Sequence, residues 1–463
     1  MTKPVSVPRI LIAGATSGVG KTTITAGIIA ALKARGMNVQ PFKCGPDYID
    51  PGYLSLASGR PCRNLDSWLI PQDNLRGLFA RAVREADIAV VEGVMGLYDG
   101  RNGMEGSGSS AEIARLLDIP VILVLDVSRT SGSAAAMALG YRSLDTRLNI
   151  AGVILNRVGS PNHLRWTKEA VEKKAGIPVV GYLPGQTSLH LPERHLGLVP
   201  APEIGESCLE SIRRQVEKTI DLEAVTALAN KASPVQDAGV SLFPPEEMAK
   251  KVKIAVARDE AFSFYYEDNL ELLSAWGAQL EFVSPLKDRG LPAGAGGIYI
   301  GGGFPEIFAR QLAGNAEFKS SLSKAAGEGM PVYAECGGLM YLSRAIVDFE
   351  GEEHEMAGVL PGRAVMRKHR KRMGYAEVRA LRDGPVSRKG DALRGHFFHW
   401  SEMPVPEESA AYRVVEPEGG LEGILTGPEN NIQASYLHLH FGSDIRLAKR
   451  FIEQCRRGTA PIR

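Results

Sequence analysis

The sequence has 463 residues, several times what one hydrophobic core normally organises, so a lone small module is excluded and two domains are expected. With 44% hydrophobic and 23% charged residues it has the balance of a folded protein rather than a disordered one. Its 54 Lys and Arg against 53 Asp and Glu leave a net charge of +1, which supplies no general attraction for nucleic acid or anionic lipid, and neither is expected as a partner.

In chain order, the N-terminus comes first. It lacks the apolar core and cleavage site of a signal peptide, and no run approaches the roughly 20 apolar residues that span a bilayer, so no membrane insertion is expected. Apolar runs at Arg9–Ala13, Ile88–Glu92, Val121–Asp126 and Ile150–Asn156 read as strands, with helical patterns such as Thr22–Arg35 and Ala111–Leu117 between them. Continuous Val/Ile/Leu runs suit parallel strands covered on both faces, so the first half is predicted to be an α/β domain.

Directly after the first strand comes Gly14-Ala15-Thr16-Ser17-Gly18-Val19-Gly20-Lys21-Thr22-Thr23, followed by a helical run. Glycines let successive N–H groups turn inward around phosphate oxygens, the helix offers its positive N-terminus, Lys21 reaches the outer phosphates and Thr22 ligates magnesium. The segment is therefore a candidate ATP site built from Gly18, Val19, Gly20, Lys21, Thr22 and Thr23. Ala15 stands where the common pattern has its first glycine. The bland alternative, a turn that binds nothing, does not account for strand, loop, Lys-Thr and helix in that order.

Magnesium needs hard oxygen ligands, and carboxylates at neighbouring strand ends are their natural source. Glu92, which closes the strand-like run Ile88–Val91, and Asp47, in Lys43-Cys44-Gly45-Pro46-Asp47-Tyr48-Ile49-Asp50-Pro51, are the candidates beside Thr22; each also reads as a turn or capping acid. Asp50 and Asp99 are ambiguous between substrate orientation and turn geometry.

Near Lys231 the pattern lapses into a Ser/Pro/Gly-rich stretch and then a charged run, giving a predicted division into residues 1–232, a linker over 233–250 and a second α/β domain over 251–463. Strand-like runs restart at Lys253–Ala257, Leu280–Val283, Gly297–Ile300 and Pro331–Ala334. The last runs into Glu335-Cys336-Gly337-Gly338, after which a helical pattern resumes. A thiol on a tight strand-to-helix turn projects from the sheet beside a helix N-terminus, with backbone N–H groups at hand for an oxyanion, so Cys336 reads as a nucleophile. Gly337 and Gly303, the latter from Gly301-Gly302-Gly303-Phe304-Pro305-Glu306, are candidate oxyanion donors.

A histidine is needed to take the thiol proton, and alternation in Tyr436-Leu437-His438-Leu439-His440 puts His438 and His440 on one face of a predicted strand. His396 and His399 read as packed, hydrogen-bonded residues rather than a metal pair. Cys44, Cys62, Cys208 and Cys455 read as small apolar fillers or surface thiols. Scattered, with no CxxC pair, the five cysteines fit a reducing, cytoplasmic setting.

An ATP site and a cysteine–histidine acyl-transfer site on one chain point to glutamine-dependent amidation, in which ATP converts a carboxylate into an acyl phosphate and a glutaminase supplies ammonia. On segments 14–23, 42–51, 91–100, 301–306, 333–342, 395–401 and 434–441 the chain resembles, over essentially its whole length, the family of a,c-diamide synthases acting on cobyrinate, hydrogenobyrinate or nickel-sirohydrochlorin. These join a dethiobiotin-synthetase-like P-loop domain to a class I glutamine amidotransferase domain.

The resemblance implies that Cys336 attacks the glutamine carboxamide, that His438 activates it because Tyr436-Leu437-His438 matches the family's Tyr-Leu-His, and that Mg-ATP in the first domain phosphorylates the a and c acetates of a tetrapyrrole-derived macrocycle. It also places Tyr48, Asp50 and Asp99, in the 42–51 and 94–100 loops, against that substrate. Ordinary class I amidotransferases carry a glutamate two residues after the histidine; here His440 stands there, so the group orienting His438 is left open. The partners implied are small molecules: macrocycle, glutamine and ATP. A dethiobiotin-type carboxylase has no use for Cys336, and a P-loop switch with a decayed second domain has no use for an intact Cys336 and His438.

Overall fold

A computed structural model describes residues 5–101, 106–185, 206–235, 242–246 and 248–457, together with two short strands at Glu193–Arg194 and Gly197–Leu198. The chain forms two compact units, Met1–Val240 and Ser241–Arg463. Both ends of the expected linker are tied into a unit. Val5 bridges to Val235 and the Arg9 guanidinium donates to the Ser233 carbonyl, while the Trp276 indole N–H donates to the Leu242 carbonyl at 2.8 Å. Residues 236–241 and 247 of that linker lie outside the described residues.

In the first unit, β1 (Arg9–Gly14), β2 (Val39–Cys44), β3 (Arg63–Leu65), β4 (Ile88–Gly96), β5 (Val121–Asp126), β6 (Ile150–Val158) and β7 (Val179–Pro184) form one parallel sheet in the order β3-β2-β4-β1-β5-β6-β7. β1 is buried along its whole length, as a near-continuous apolar run requires, and β2 is buried too, carrying Gln40 and Lys43 inside with it. The helices α1 (Lys21–Ala34), α2 (Asp50–Ser58), α3 (Gln72–Ala82), α4 (Ser110–Leu116), α5 (Ser133–Leu144), α6 (Pro161–Ala170), α7 (Glu206–Thr219) and α8 (Leu222–Ala229) pack around it. α1 buries Ile24, Ile28, Ile29 and Leu32, and its Gly27 lets α7 approach: a Cβ there would lie 2.6 Å from Val216 Cγ2. A parallel sheet sends the C-terminal ends of its strands to one edge, so the loops after β1, β2 and β4 gather there.

The second unit has a ten-stranded sheet. It comprises β8 (Val252–Ala257), β9 (Ala278–Val283), β10 (Ala295–Ile300), β11 (Val332–Glu335), β12 (Arg372–Ala380), β13 (Ala392–His399), β14 (Ala410–Glu416), β15 (Leu421–Thr426), β16 (Ile432–Ser435) and β17 (His438–Leu439), in the order β9-β8-β10-β11-β16-β15-β14-β12-β13-β17. The half from β9 to β16 is parallel and the rest antiparallel. Helices α9 (Glu267–Ala275), α10 (Ala309–Gly314), α11 (Ala316–Gly327), α12 (Gly337–Leu342) and α13 (Arg446–Arg457) accompany it. Only Tyr436 and Leu437 separate β16, mid-sheet, from β17 at its far edge. The antiparallel strands therefore curl round and bring His438 back beside the end of β11, a closure carried by the Leu439 N–H donating to the Glu335 carboxylate at 3.0 Å.

The predicted strand through His438 and His440 is shorter than alternation suggests. It ends at Leu439, because the Gly442 N–H donates to His440 Nδ1 at 3.0 Å and turns the chain into a single 3-10 turn, Phe441–Ser443.

Candidate active sites

β1 delivers the chain into the glycine loop, where Gly18 (φ 74°) and Gly20 (φ 90°) take left-handed backbone that a side chain would strain. α1 starts from Gly20 with no side-chain cap, leaving its N-terminal positive end to the loop. Val19 is buried, and its carbonyl accepts from Asn156 Nδ2 at 2.7 Å, so the end of β6 holds the loop; sequence reasoning did not single out Asn156. The Tyr141 hydroxyl donates to the Ala15 carbonyl from another side. The Lys21 ammonium donates to the Met95 carbonyl at 2.6 Å and the Thr16 carbonyl at 3.2 Å. Burial, then the charge of Lys43, lowers Lys21 to about 8. Thr23 sits half-buried in the first turn of α1.

Beside this loop the Thr22 hydroxyl donates to Glu92 Oε1 at 2.7 Å. Glu92 is fully buried, and its Oε2 has no hydrogen-bond partner among the described residues. An orphaned carboxylate oxygen next to a threonine hydroxyl at the head of a phosphate loop is a hard-oxygen set that fits Mg2+. Lys43, not singled out in the sequence, adds a cation: its ammonium reaches Asp50 Oδ2 at 2.5 Å, Glu92 Oε1 at 2.9 Å and Asp47 Oδ2 at 4.0 Å. Burial works against that charge, but Asp50, Glu92 and Asp47 outweigh it and hold Lys43 well above its usual value. Burial pushes Glu92 up to about 7 and Asp47 to about 8, whereas Asp50, closest to Lys43, is held low.

The remaining candidates in this unit divide. Asp47 Oδ1 accepts from the Ile49 N–H at 2.8 Å, so it also closes its turn, and Tyr48 is half-buried beside it. Asp99 Oδ2 accepts from the Gly96 N–H at 2.9 Å, which is turn geometry and spends one of its oxygens.

In the second unit Cys336 has φ 48° and ψ −101°, an unfavourable backbone for a residue with a Cβ, between the end of β11 and the start of α12. Its N–H is fixed on the Ser435 carbonyl at 2.7 Å and its thiol points toward the Phe398 carbonyl at 3.6 Å. The two candidate oxyanion donors converge: a Cβ on Gly337 would lie 3.0 Å from the Gly303 nitrogen. His438 and Cys336 both pack against Gly302, where an added Cβ would sit 2.6 Å from His438 Cε1 and 3.4 Å from Cys336 Cβ. Gly302 thus makes the room that the pair occupies, a role the sequence reading did not assign. Burial, then the charge of Glu306, pushes the Cys336 thiol well up, so the thiol holds its proton unless a base takes it.

The other histidines are placed apart in function. His440 Nε2 faces Asp268 at 3.6 Å and its ring packs on Tyr266, so it does not share His438's surroundings. His396 pairs in register with His438, and His399 stacks on Tyr436 at 4.0 Å while its Nδ1–H donates to the Ser401 carbonyl. Burial lowers His396 to about 3 and His399 to about 4. Cys44, Cys62 and Cys455 are buried and Cys208 is half-buried, all as free thiols. No helix among the described residues is long and apolar enough to cross a membrane.

Residues 10–199 match a CobQ/CobB/MinD/ParA nucleotide binding domain and residues 253–445 a CobB/CobQ-like glutamine amidotransferase domain. A protein of Dehalococcoides mccartyi (strain CBDB1) named cobyrinate a,c-diamide synthase is 52% identical over 96% of this chain and 97% of its own length. Proteins of that name from Priestia megaterium and Archaeoglobus fulgidus are 45% and 42% identical, each over 97% of this chain and 97% and 98% of their own lengths. A nucleotide-binding unit and a glutamine amidotransferase unit in this order, matched from end to end at such identity, place the chain in the cobyrinate a,c-diamide synthase family.

Proposed function

We propose that this protein uses ATP and glutamine to amidate the a and c acetate carboxylates of cobyrinate, a step of cobalamin biosynthesis in the cytoplasm. The observation that supports the reading is that Cys336 and His438 pack against the same Gly302, in a chain whose other unit pairs Thr22 with Glu92 at the head of a glycine loop.

In the second unit the Cys336 sulfur attacks the glutamine carboxamide carbon, and its proton passes through His438 to the departing nitrogen. Ammonia leaves and a glutamyl thioester remains, which water cleaves to glutamate and the thiol. The Gly303 and Gly337 N–H groups receive the oxyanion. In the first unit a substrate carboxylate oxygen attacks the γ-phosphorus of ATP and ADP departs. Ammonia then attacks the acyl phosphate carbon, phosphate leaves and a proton is lost; repeating the cycle gives the diamide. Lys21 offsets charge on the outer phosphates. Thr22 and Glu92, with Asp47 beyond Lys43, would hold Mg2+, which neutralises phosphate charge when bound. Asp50, paired with Lys43, and Tyr48 of the same loop would meet the macrocycle, and Asp99 shapes the turn after β4.

The test is to offer the purified protein cobyrinate, hydrogenobyrinate and nickel-sirohydrochlorin separately, with Mg-ATP and glutamine, and count converted acids by mass spectrometry. Two amides on cobyrinate, formed faster than on the other two, are expected. Preference for another macrocycle reassigns the substrate while keeping the chemistry, and no glutamine hydrolysis with any of them returns the chain to a P-loop switch.

A further inference from the structure

His440 stands where ordinary class I amidotransferases have the glutamate that orients the catalytic histidine, and here it is engaged with Asp268 and Tyr266. The carboxylate set against His438 comes instead from the residue before the nucleophile: Glu335 Oε2 lies 3.7 Å from His438 Nδ1, with both side chains buried. We propose that Glu335 is the positioning residue of His438, holding the proton on Nδ1 and leaving Nε2 as the ring atom that accepts the thiol proton of Cys336. This assignment rests on the glutaminase reading above.

Glu335 is built to do this. Its Oε2 accepts from the Tyr299 hydroxyl at 2.8 Å, and its Oε1 accepts from the Tyr333 hydroxyl at 2.6 Å and the Leu439 N–H at 3.0 Å. The tyrosines lie on β10 and β11, so the carboxylate is clamped by the sheet that carries the nucleophile. The third donor is the residue after His438, so one carboxylate fixes both the histidine's backbone and its ring. Burying such a group is costly unless its partners are complete, and an apolar residue would fill a plain core at less cost. The 3.7 Å separation exceeds a direct hydrogen bond, and catalytic contacts of this kind commonly tighten when substrate arrives.

Burial, then the charge of Glu335, pushes the Tyr299 and Tyr333 phenols well up, so they stay donors. His396 and His399 on β13, lowered to about 3 and about 4, remain neutral near pH 7. Cys336 is pushed up by burial; Glu306, at about 7, and Glu422, also raised, act on it. Replacing Glu335 also takes its charge away from Tyr299, Tyr333 and Cys336 and so eases all three downward, whereas the groups acting on His396 and His399 are others.

The experiment measures glutamine hydrolysis by the full chain from acid to alkaline pH, for wild type, Glu335→Gln, Glu335→Asp and Tyr333→Phe. For Glu335→Gln, kcat is expected to fall about 100-fold with KM little changed. The limb of the pH profile governed by the imidazole should move about 1 unit toward acid, because loss of the carboxylate disfavours the imidazolium. Glu335→Asp should bring that limb back toward the wild-type position, and Tyr333→Phe should leave it in place.

An unmoved limb in Glu335→Gln, or equal loss of kcat without a shift in Glu335→Gln and Tyr333→Phe, makes Glu335 a structural strut and overturns the assignment. Should Glu335→Gln fail to fold, the 15N resonances of His438 in the unmodified protein give an independent reading. A proton on Nδ1 in the neutral ring is expected, and one on Nε2 overturns the proposal. Absence of glutamine hydrolysis in the wild type removes the glutaminase reading as well, whereas hydrolysis with an unmoved limb removes this assignment alone.

Discussion

Gly302 has no side chain, and two others use its space. A methyl group there would stand 2.6 Å from His438 Cε1, closer than non-bonded atoms pack, and the imidazole rather than the sheet would have to give way. Gly302→Ala is therefore expected to cut glutamine hydrolysis by roughly 100-fold or more through the rate constant, while leaving amidation from ammonium salts near its wild-type rate. Loss of both activities together would show that the substitution damages the fold and not the pair. The turns that carry Cys336 and Lys21 were legible because each needs only a local pattern: a strand, a tight glycine turn and a helix. Glu335, Gly302, Lys43 and Asn156 were not, because each acts on a residue far away in sequence. Glu335 meets Leu439 across 104 positions and Asn156 meets Val19 across 137, and only the fold makes them neighbours.

At the scale of elements, most of the parallel strands were readable because strands covered on both faces appear as unbroken apolar runs, while β2, β3, β7 and β16, short or broken by polar residues and proline, were not singled out. The strands called from such runs appear with edges displaced by at most four residues, β4 running on to Gly96 where it pairs with Gly14. The antiparallel half of the second sheet gave a weaker signal: β12 alternates between buried and partly exposed positions and carries two arginines and a glutamate. Its neighbour β13 holds His396 and His399, and this predicts an acid sensitivity. Both have folded-state values, about 3 and about 4, below the ordinary 6.5 of the unfolded chain. As pH falls below about 6.5 the unfolded chain takes up protons that the folded chain refuses, so stability declines toward about pH 4. Urea unfolding of His396→Gln should show a slope of stability against pH between about 4 and 6 that is shallower by about 1.4 kcal/mol per unit. An unchanged slope would mean that His396 is protonated in the folded protein.

At the scale of the whole molecule, two chemistries on separate units should be separable by mutation and reunited by supplying what is missing. Cys336→Ala removes the sulfur nucleophile and leaves Lys21, Thr22 and Glu92 in place, so hydrolysis of glutamine should vanish while ammonium salts still support amidation of the macrocycle in the presence of Mg-ATP. Lys21→Ala removes the cation that serves the outer phosphates, at a cost of roughly 100-fold or more in amidation with either nitrogen source, and should leave glutamine hydrolysis within a few-fold of wild type. Mixing the two variants asks one thing more. Ammonia released by Lys21→Ala into solution can feed Cys336→Ala only as dilute free ammonia, so the mixture should amidate slowly on glutamine and recover as ammonium is added. Full wild-type activity in the mixture would mean that ammonia is never handed on within one chain, and equal loss of glutaminase in both variants, with both folded, would mean that the two sites are not independent.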